Sequence, residues 1–312
     1  MKKISILLLI MSIILVGCNQ PNELVNSQDS SIAQSTDLVE ISGFELTDYA
    51  GVEHHFTKAI KSLVVIEASQ CEIIYALEAE DILVGLGTYC DYPEASKDIP
   101  KVGSGSNLNV EEIVALNPDC VLMGTMASDP EKAAALQRAN IPVVILRASS
   151  IEDTYKCIED IGILVNKEDK ATEVVTKMKN QIELIRQLNM NKEKVRVYYE
   201  VAPLADGPWT CGSNTFQHEL IEIAGGENIF SDLEGWQKIS EEQILERNPD
   251  VIITSMHAGL TDDPVQEIIN RTGWSEIAAI QNARVFTVDA NIVSRAAPRL
   301  AEGAESFQDC LQ

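Results

Sequence analysis

At 312 residues and 45% apolar side chains, the chain is long enough for two lobes of roughly 120 to 150 residues and has core material for both. Its formal charge of −24 argues against nucleic acid or an anionic membrane surface as a binding partner. Neither a Gly-x-Ser-x-Gly elbow, a phosphate-binding P-loop, a His-Glu-x-x-His helix nor a complete Gly-x-Gly-x-x-Gly turn occurs in it, so the common hydrolase, nucleotide and zinc-protease signatures are missing.

In chain order, Lys2 and Lys3 precede a mostly apolar run from Ile4 to Val16, then Gly17 and Cys18. This is the layout of a secretory signal, and the run is shorter than the roughly 20 residues of a comfortable membrane span. Leu15 to Cys18 resembles the bacterial lipobox, which makes Cys18 the expected lipidation site and residues 1–18 the signal peptide. Residues 19–37 are rich in Ser, Gln, Asn and Asp and read as a flexible tether. The mature protein is therefore expected outside the cytoplasm, lipid-anchored at the membrane face. Six further cysteines remain, Cys71, Cys90, Cys120, Cys157, Cys211 and Cys310, without CxxC or other metal spacing. An exported compartment permits disulfides, and their pairing is not legible.

Phe44 to Phe56 alternates around an Ala-Gly turn and predicts a β-hairpin, with His54 and His55 pointing to opposite faces. Leu63 to Ala68 reads as a buried strand that leads through Ser69 to Glu72 into a helix starting at Ile73. Strands at Ile82 to Gly87 and Val143 to Leu146 and helices at Glu131 to Ala139 and Ile151 to Leu164 complete an α/β lobe over 38–166. Lys167 to Leu188 places Val174, Val175, Met178, Ile182 and Ile185 at three- and four-residue steps, which predicts one long connecting helix within 167–190. A second lobe, 191–312, restarts with an alternating strand at Val195 to Val201, a helix from Thr215 to Ile223 closed by Gly225 and Gly226, a strand at Arg284 to Val288 and a last helix from about Pro298.

One unit appears in both lobes, 131 positions apart: Asn109 to Met123 recurs as Ser240 to Thr254. Each copy predicts a short capped helix (Asn109 with Glu112, Ser240 with Gln243), a stop at Asn117-Pro118 or Asn248-Pro249, and a buried strand. The repetition points to an internal duplication.

In open parallel sheets, ligands bind beyond the carboxyl ends of the strands. That rule selects Ser69 to Glu72, Thr88 to Pro93, Gly103 to Asn107, Arg147, Pro203 to Ser213, Met256 to Gly259, Gly235-Trp236 and Asp289 to Arg295 as cleft loops. Tyr89, Trp209 and Trp236 would give flat aromatic walls for a large, partly apolar ligand. Tyr92 before Pro93 reads as a packing residue. Arg147 and Arg295 would meet ligand carboxylate or phosphate, or else pair with acids of this acidic chain. His257 would coordinate a metal centre in the ligand or merely line the site. Cys71, Cys90 and Cys211 also fall in cleft loops, which leaves a thiol-dependent exported enzyme open.

With the lipobox, Phe44 to Phe56, Tyr89-Cys-Asp-Tyr-Pro, both Asn-Pro-Asp units, Ala224 to Phe230 and Arg295-Ala-Ala-Pro-Arg299, the chain over about 40–312 resembles the substrate-binding lipoproteins of ABC importers for corrinoids, haem and iron-siderophores. The resemblance implies the class III substrate-binding fold, two α/β lobes with mainly parallel sheets joined by one long helix, and ligand delivery without catalysis. Tyr89-Cys-Asp-Tyr-Pro and Gly235-Trp236 look most like the cobalamin binders, whose aromatics would pack on a corrin from opposite lobes. Gly105 departs from that pattern, standing where such binders carry a further aromatic. No cofactor or metal of its own is implied; a cobalt corrinoid would be cargo, with haem or an iron-siderophore as the alternative. For Glu111 and Glu242 the resemblance implies docking to a permease dimer, and first-turn helix electrostatics offers a second reading.

Overall fold

The computed structural model describes residues 43–124, 129–202, 204, 207–255 and 263–312. The chain opens with β1 (Phe44–Thr47) and β2 (Glu53–Phe56), an antiparallel pair with Phe44 opposite Phe56, as the alternation predicts. His54 meets Asp48 at 3.2 Å and His55 meets Glu45 at 2.9 Å, so each histidine serves the hairpin from its own face.

The N-terminal lobe contains β3 (Leu63–Val65), α1 (Ala68–Ala76), β4 (Leu83–Leu86), α2 (Val110–Leu116), β5 (Cys120–Gly124), α3 (Pro130–Arg138), β6 (Val143–Leu146) and α4 (Ile151–Leu164). Helix α1 starts at Ala68 rather than Ile73, so Ser69 to Glu72 are helical and not loop. Connecting helix α5 (Glu168–Asn189) runs 22 residues without a break. The C-terminal lobe adds β7 (Val195–Glu200), β8 (Trp209–Cys211), α6 (Phe216–Ile223), β9 (Gly226–Asn228), β10 (Trp236–Lys238), α7 (Glu241–Arg247), β11 (Val251–Thr254), α8 (Pro264–Ile269), α9 (Ala278–Gln281), β12 (Val285–Thr287), α10 (Ala290–Val293) and α11 (Leu300–Leu311).

Each lobe has a four-stranded parallel sheet, and the two have one topology. The orders β4-β3-β5-β6 and β9-β7-β11-β12 both place the lobe's second strand first, then its first, third and fourth. This is the duplication that the repeated unit announces. The aspartate of each repeat does matching work at the seam between the first and third strands. Asp119 accepts from the Lys61 and Ser62 backbone N–H groups at 2.9 and 3.1 Å, and Asp250 accepts from that of Arg196 at 3.1 Å. Each also donates its own N–H back, to the Ser62 and Arg196 carbonyls, at 2.9 Å. Burial pushes the Asp119 carboxyl up, but bonds from Lys58, Lys61 and Ser62 outweigh it and leave Asp119 below the ordinary value. Asn117 and Asn248 end the repeat helices in left-handed conformation, φ 48° and 42°, which short polar side chains tolerate.

The outer face of each sheet has its own core, around Val64, Ile113, Val121 and Leu136 in one lobe and Tyr198, Phe230, Ile252 and Trp274 in the other. The inner faces do not: Leu63, Val65 and Leu122 belong to one continuous cluster with Val197, Tyr199 and Ile253. That cluster is bridged by α4, α5 and α11. Ala171, Val175, Met178, Ile182 and Ile185 form the buried stripe of α5 at alternating steps of four and three, one face of a helix. The Ile151 backbone N–H adds a polar tie by donating to Glu219 of α6 at 2.7 Å. The connector is thus a packed wall shared by the lobes.

Candidate functional site

The carboxyl ends of the N-terminal sheet present Tyr89, Gly105 and Arg147. After β4 the chain is held tightly: Gly87 N–H donates to the Val65 carbonyl at 2.8 Å, and Thr88 N–H donates to the Ser104 hydroxyl at 2.9 Å. Cys90 is fully buried behind this turn, which leaves the ring of Tyr89 69% exposed. Gly105 has φ +55°, and a Cβ there would meet nothing within 4 Å. The surface is therefore open where a further aromatic would stand. Arg147 is exposed at the end of β6, where it donates to the Tyr49 hydroxyl at 2.6 Å and lies 5.2 Å over that ring.

On the other lobe, β8 and β10 pair antiparallel, with Trp236 opposite Cys211 and Lys238 opposite Trp209. Period-two alternation puts Trp209 and Trp236 on one face of this ribbon. Gly235, at φ +67°, makes the turn that delivers Trp236, and its carbonyl accepts from Gly212 N–H at 2.7 Å. The ribbon is fixed to the sheet beneath it. Thr210 donates to the Tyr199 carbonyl at 2.7 Å, and the Trp236 ring lies 6.3 Å from that of Tyr199. Tyr199 in turn packs on Phe307 and shares a hydrogen bond with Ser255. Buried Asn228, from the Ala224 to Phe230 stretch, donates to the Cys211 carbonyl at 2.8 Å and supports the ribbon from below. The sequence does not announce this ribbon: its strands have three residues each and lie far apart in the chain.

Arg295 lies between the lobes. Its guanidinium meets Glu72 at 2.9 Å and Asp91 at 2.8 Å, so its charge is already matched by acids of the opposite lobe. Glu72, from the predicted cleft stretch Ser69 to Glu72, and Arg299, from the Arg295-Ala-Ala-Pro-Arg299 stretch, belong to the same cluster, although neither is among the predicted ligand residues. The four-residue spacing of Arg295 and Arg299 was the available signal, since it places both on one side of a turn.

His257 and Cys18 lie outside the described residues. Among the described residues, no three His, Cys, Asp or Glu side chains gather as a metal-holding group. All six described cysteines are free and buried. Burial pushes the Cys211 thiol up to about 12, and the hydrogen bond with Cys71 together with burial pushes Cys90 up. The reading of Cys71, Cys90 and Cys211 as thiols of an exported enzyme is corrected on burial: a nucleophilic cysteine needs an accessible thiolate, and all three are 0% exposed. A groove of about 780 Å³ runs along α4, α5 and α6, lined by Tyr155, Lys179, Arg186 and His218, and none of the predicted ligand residues lines it.

Glu111 and Glu242 are both exposed at the second position of a repeat helix. Because each helix runs back toward the start of the strand it feeds, its first turn lies at the carboxyl edge of its sheet. The Ser240 hydroxyl holds Glu242 below the ordinary carboxylate range, which keeps it charged at neutral pH. One turn further, Val114 and Leu245 are 41% and 38% exposed at matching positions of the two repeats. Each lobe thus presents an acid and an apolar side chain on the same helical face.

Residues 63–292 match the family model described as periplasmic binding protein. An uncharacterized ABC transporter substrate-binding lipoprotein of Bacillus subtilis, YvrC, is 33% identical over 97% of this chain and 95% of its own length. A vitamin B12-binding protein of Salmonella paratyphi A is 28% identical over 79% of this chain and 89% of its own. Among solved structures, a possible iron-binding (periplasmic solute-binding) protein of Staphylococcus epidermidis superimposes with a TM-score of 0.73 at 30% identity, covering 81% of this chain and 99% of that one.

Proposed function

The chain belongs to the periplasmic binding protein family, the substrate-binding components of ABC transporters, and we propose that it captures a corrinoid between its lobes and hands it to an importer permease. Family and fold are those of class III substrate-binding proteins, which are transport components and not enzymes, and they work on the extracytoplasmic side. No helix among the described residues is long and apolar enough to cross a membrane. Cys18 supplies the attachment in this reading: its lipidation anchors the protein, and residues 19–37 give it reach.

The observation that carries the ligand reading is the pair of exposed aromatics from opposite lobes, Tyr89 at 69% and Trp236 at 40%. Both are displayed on rigid supports at carboxyl edges. Exposed rings, Trp236 backed on one side by Tyr199, suit a broad, flat, partly apolar ligand such as a corrin, whose burial between two rings needs little reorganisation. Trp209, on the same ribbon face, extends the wall; Arg147 is the polar group proposed to meet the ligand rim, and His257 keeps its reading from the sequence as a second candidate. Arg295 remains at the site through its neighbours rather than as a free charge. The similarity to vitamin B12-binding proteins supports the corrinoid, and Gly105 leaves room for a ligand of different thickness.

Calorimetric titration of residues 19–312 with cobalamin, cobinamide, haem and ferric siderophores tests the ligand class. Saturable submicromolar binding of cobalamin or cobinamide is expected. Binding of haem or a siderophore alone overturns the corrinoid in favour of that ligand, and binding of none overturns all three.

A further inference from the structure

We propose that Glu72, Arg295 and Arg299 are positioning residues for the ligand wall: a charge clamp across the lobes that holds the loop carrying Tyr89. This rests on the reading of Tyr89 as a wall residue. Glu72 sits on α1 of the N-terminal lobe and is only 4% exposed. Both of its oxygens are taken: Arg295 Nη1 donates to Oε1 at 2.9 Å, Arg299 Nη2 to Oε1 at 2.7 Å, and Arg299 Nε to Oε2 at 2.8 Å. The two arginines come from the segment between α10 and α11 of the C-terminal lobe.

They do more than neutralise Glu72. Arg295 reaches Asp91 at 2.8 Å and the Tyr89 carbonyl at 3.4 Å, and Asn291 fixes it from behind at 2.9 Å. The Arg299 guanidinium lies 3.7 Å over the Tyr92 ring. Thus Tyr89, Asp91 and Tyr92 are each held by an arginine of the other lobe, while the Tyr89 ring stays free. Two positive and two negative charges balance within the cluster. A planar fork matched to a carboxylate fixes direction as well as distance, which a lysine at the same place would not do. Partial burial keeps the interaction from being screened as a surface pair would be. The C-terminal lobe therefore sets the position of the N-terminal wall, and the two walls of the cleft are one mechanical unit.

The test uses the full chain with fluorotyrosine incorporated, the Tyr89 resonance being assigned by its loss in Tyr89→Phe. In Arg299→Gln and in the charge-preserving Arg299→Lys, the clamp predicts a shifted or broadened Tyr89 resonance with those of buried Tyr155 and Tyr198 unchanged. With cobinamide as probe, Arg299→Gln and Glu72→Gln each weaken binding by about tenfold, and the double variant loses little more than either single one. An unmoved Tyr89 resonance in both Arg299 variants overturns the clamp, as do additive losses of affinity. If wild type does not bind cobinamide, the ligand reading fails and the resonance alone decides the clamp.

Discussion

Replacing Glu111 and Glu242 together with alanine is expected to abolish uptake in cells while ligand affinity stays at the wild-type value. The two side chains are exposed, touch none of the proposed ligand groups, and occupy matching positions on helices of two lobes whose sheets have the same topology. A permease built from two like subunits meets such a surface with two like contacts. In such a docking, exposed Val114 and Leu245 would extend each contact by one apolar side chain, so that the footprint on each lobe would combine a charge with a dry neighbour. Single variants are expected to keep partial uptake, because one of the two contacts survives. Uptake of labelled cobinamide and calorimetric affinity for it, measured on the same variants, separate the possibilities. If the glutamates serve only their own helices, the double variant loses a little thermal stability and transports normally. Loss of affinity together with uptake would mean instead that the fold was damaged.

The largest stability effect is expected at Arg271. Its side chain is 2% exposed and forks onto Glu200, which is fully buried, with bonds of 2.8 and 2.6 Å. Glu267 accepts from Arg271 Nε at 3.1 Å, the Tyr198 hydroxyl donates to Glu200 at 2.7 Å, and the guanidinium lies 4.5 Å over the Trp274 ring. The cluster ties the end of β7 to α8, beside the ribbon that carries Trp236. Arg271→Met leaves Glu200 charged and unpaired inside the protein, at a cost of about 3–5 kcal/mol. Glu200→Gln combined with Arg271→Met is expected to cost less than Arg271→Met alone, since no lone buried charge remains. Urea unfolding of the three proteins checks this, and additive losses would contradict it.

Much of this architecture is legible from local patterns. The β1–β2 alternation, the α5 stripe and the α4 boundaries follow from side-chain period, and the repeated Asn-Pro-Asp unit announces two sheets of one topology. Local patterns stop where partners are distant. Glu72 lies 223 and 227 residues from Arg295 and Arg299, so nothing around it in sequence reveals a cross-lobe clamp. The position of Arg295 after the last strand selects it as a cleft residue, yet its partners decide whether it can meet a ligand. The β8–β10 ribbon is hidden for a similar reason: three-residue strands carry too few alternations to show a period. Helix α1 begins early because its first turn packs under the β5 and β6 carboxyl ends, where buried Gln70 donates to the Met123 and Leu146 carbonyls. Polar residues at a helix start read as loop until that packing is seen.

The most direct measurement of the central claim is the emission of Trp236. In a Trp209→Phe variant only Trp236 and the buried Trp274 emit, and a Trp209→Phe, Trp236→Phe variant supplies the Trp274 background. Addition of cobinamide should quench the Trp236 component to saturation at submicromolar concentration, with the quench weakened by Tyr89→Ala. Binding that leaves Trp236 emission unchanged, or an equal quench without Trp236, would contradict capture of the ligand between these two walls.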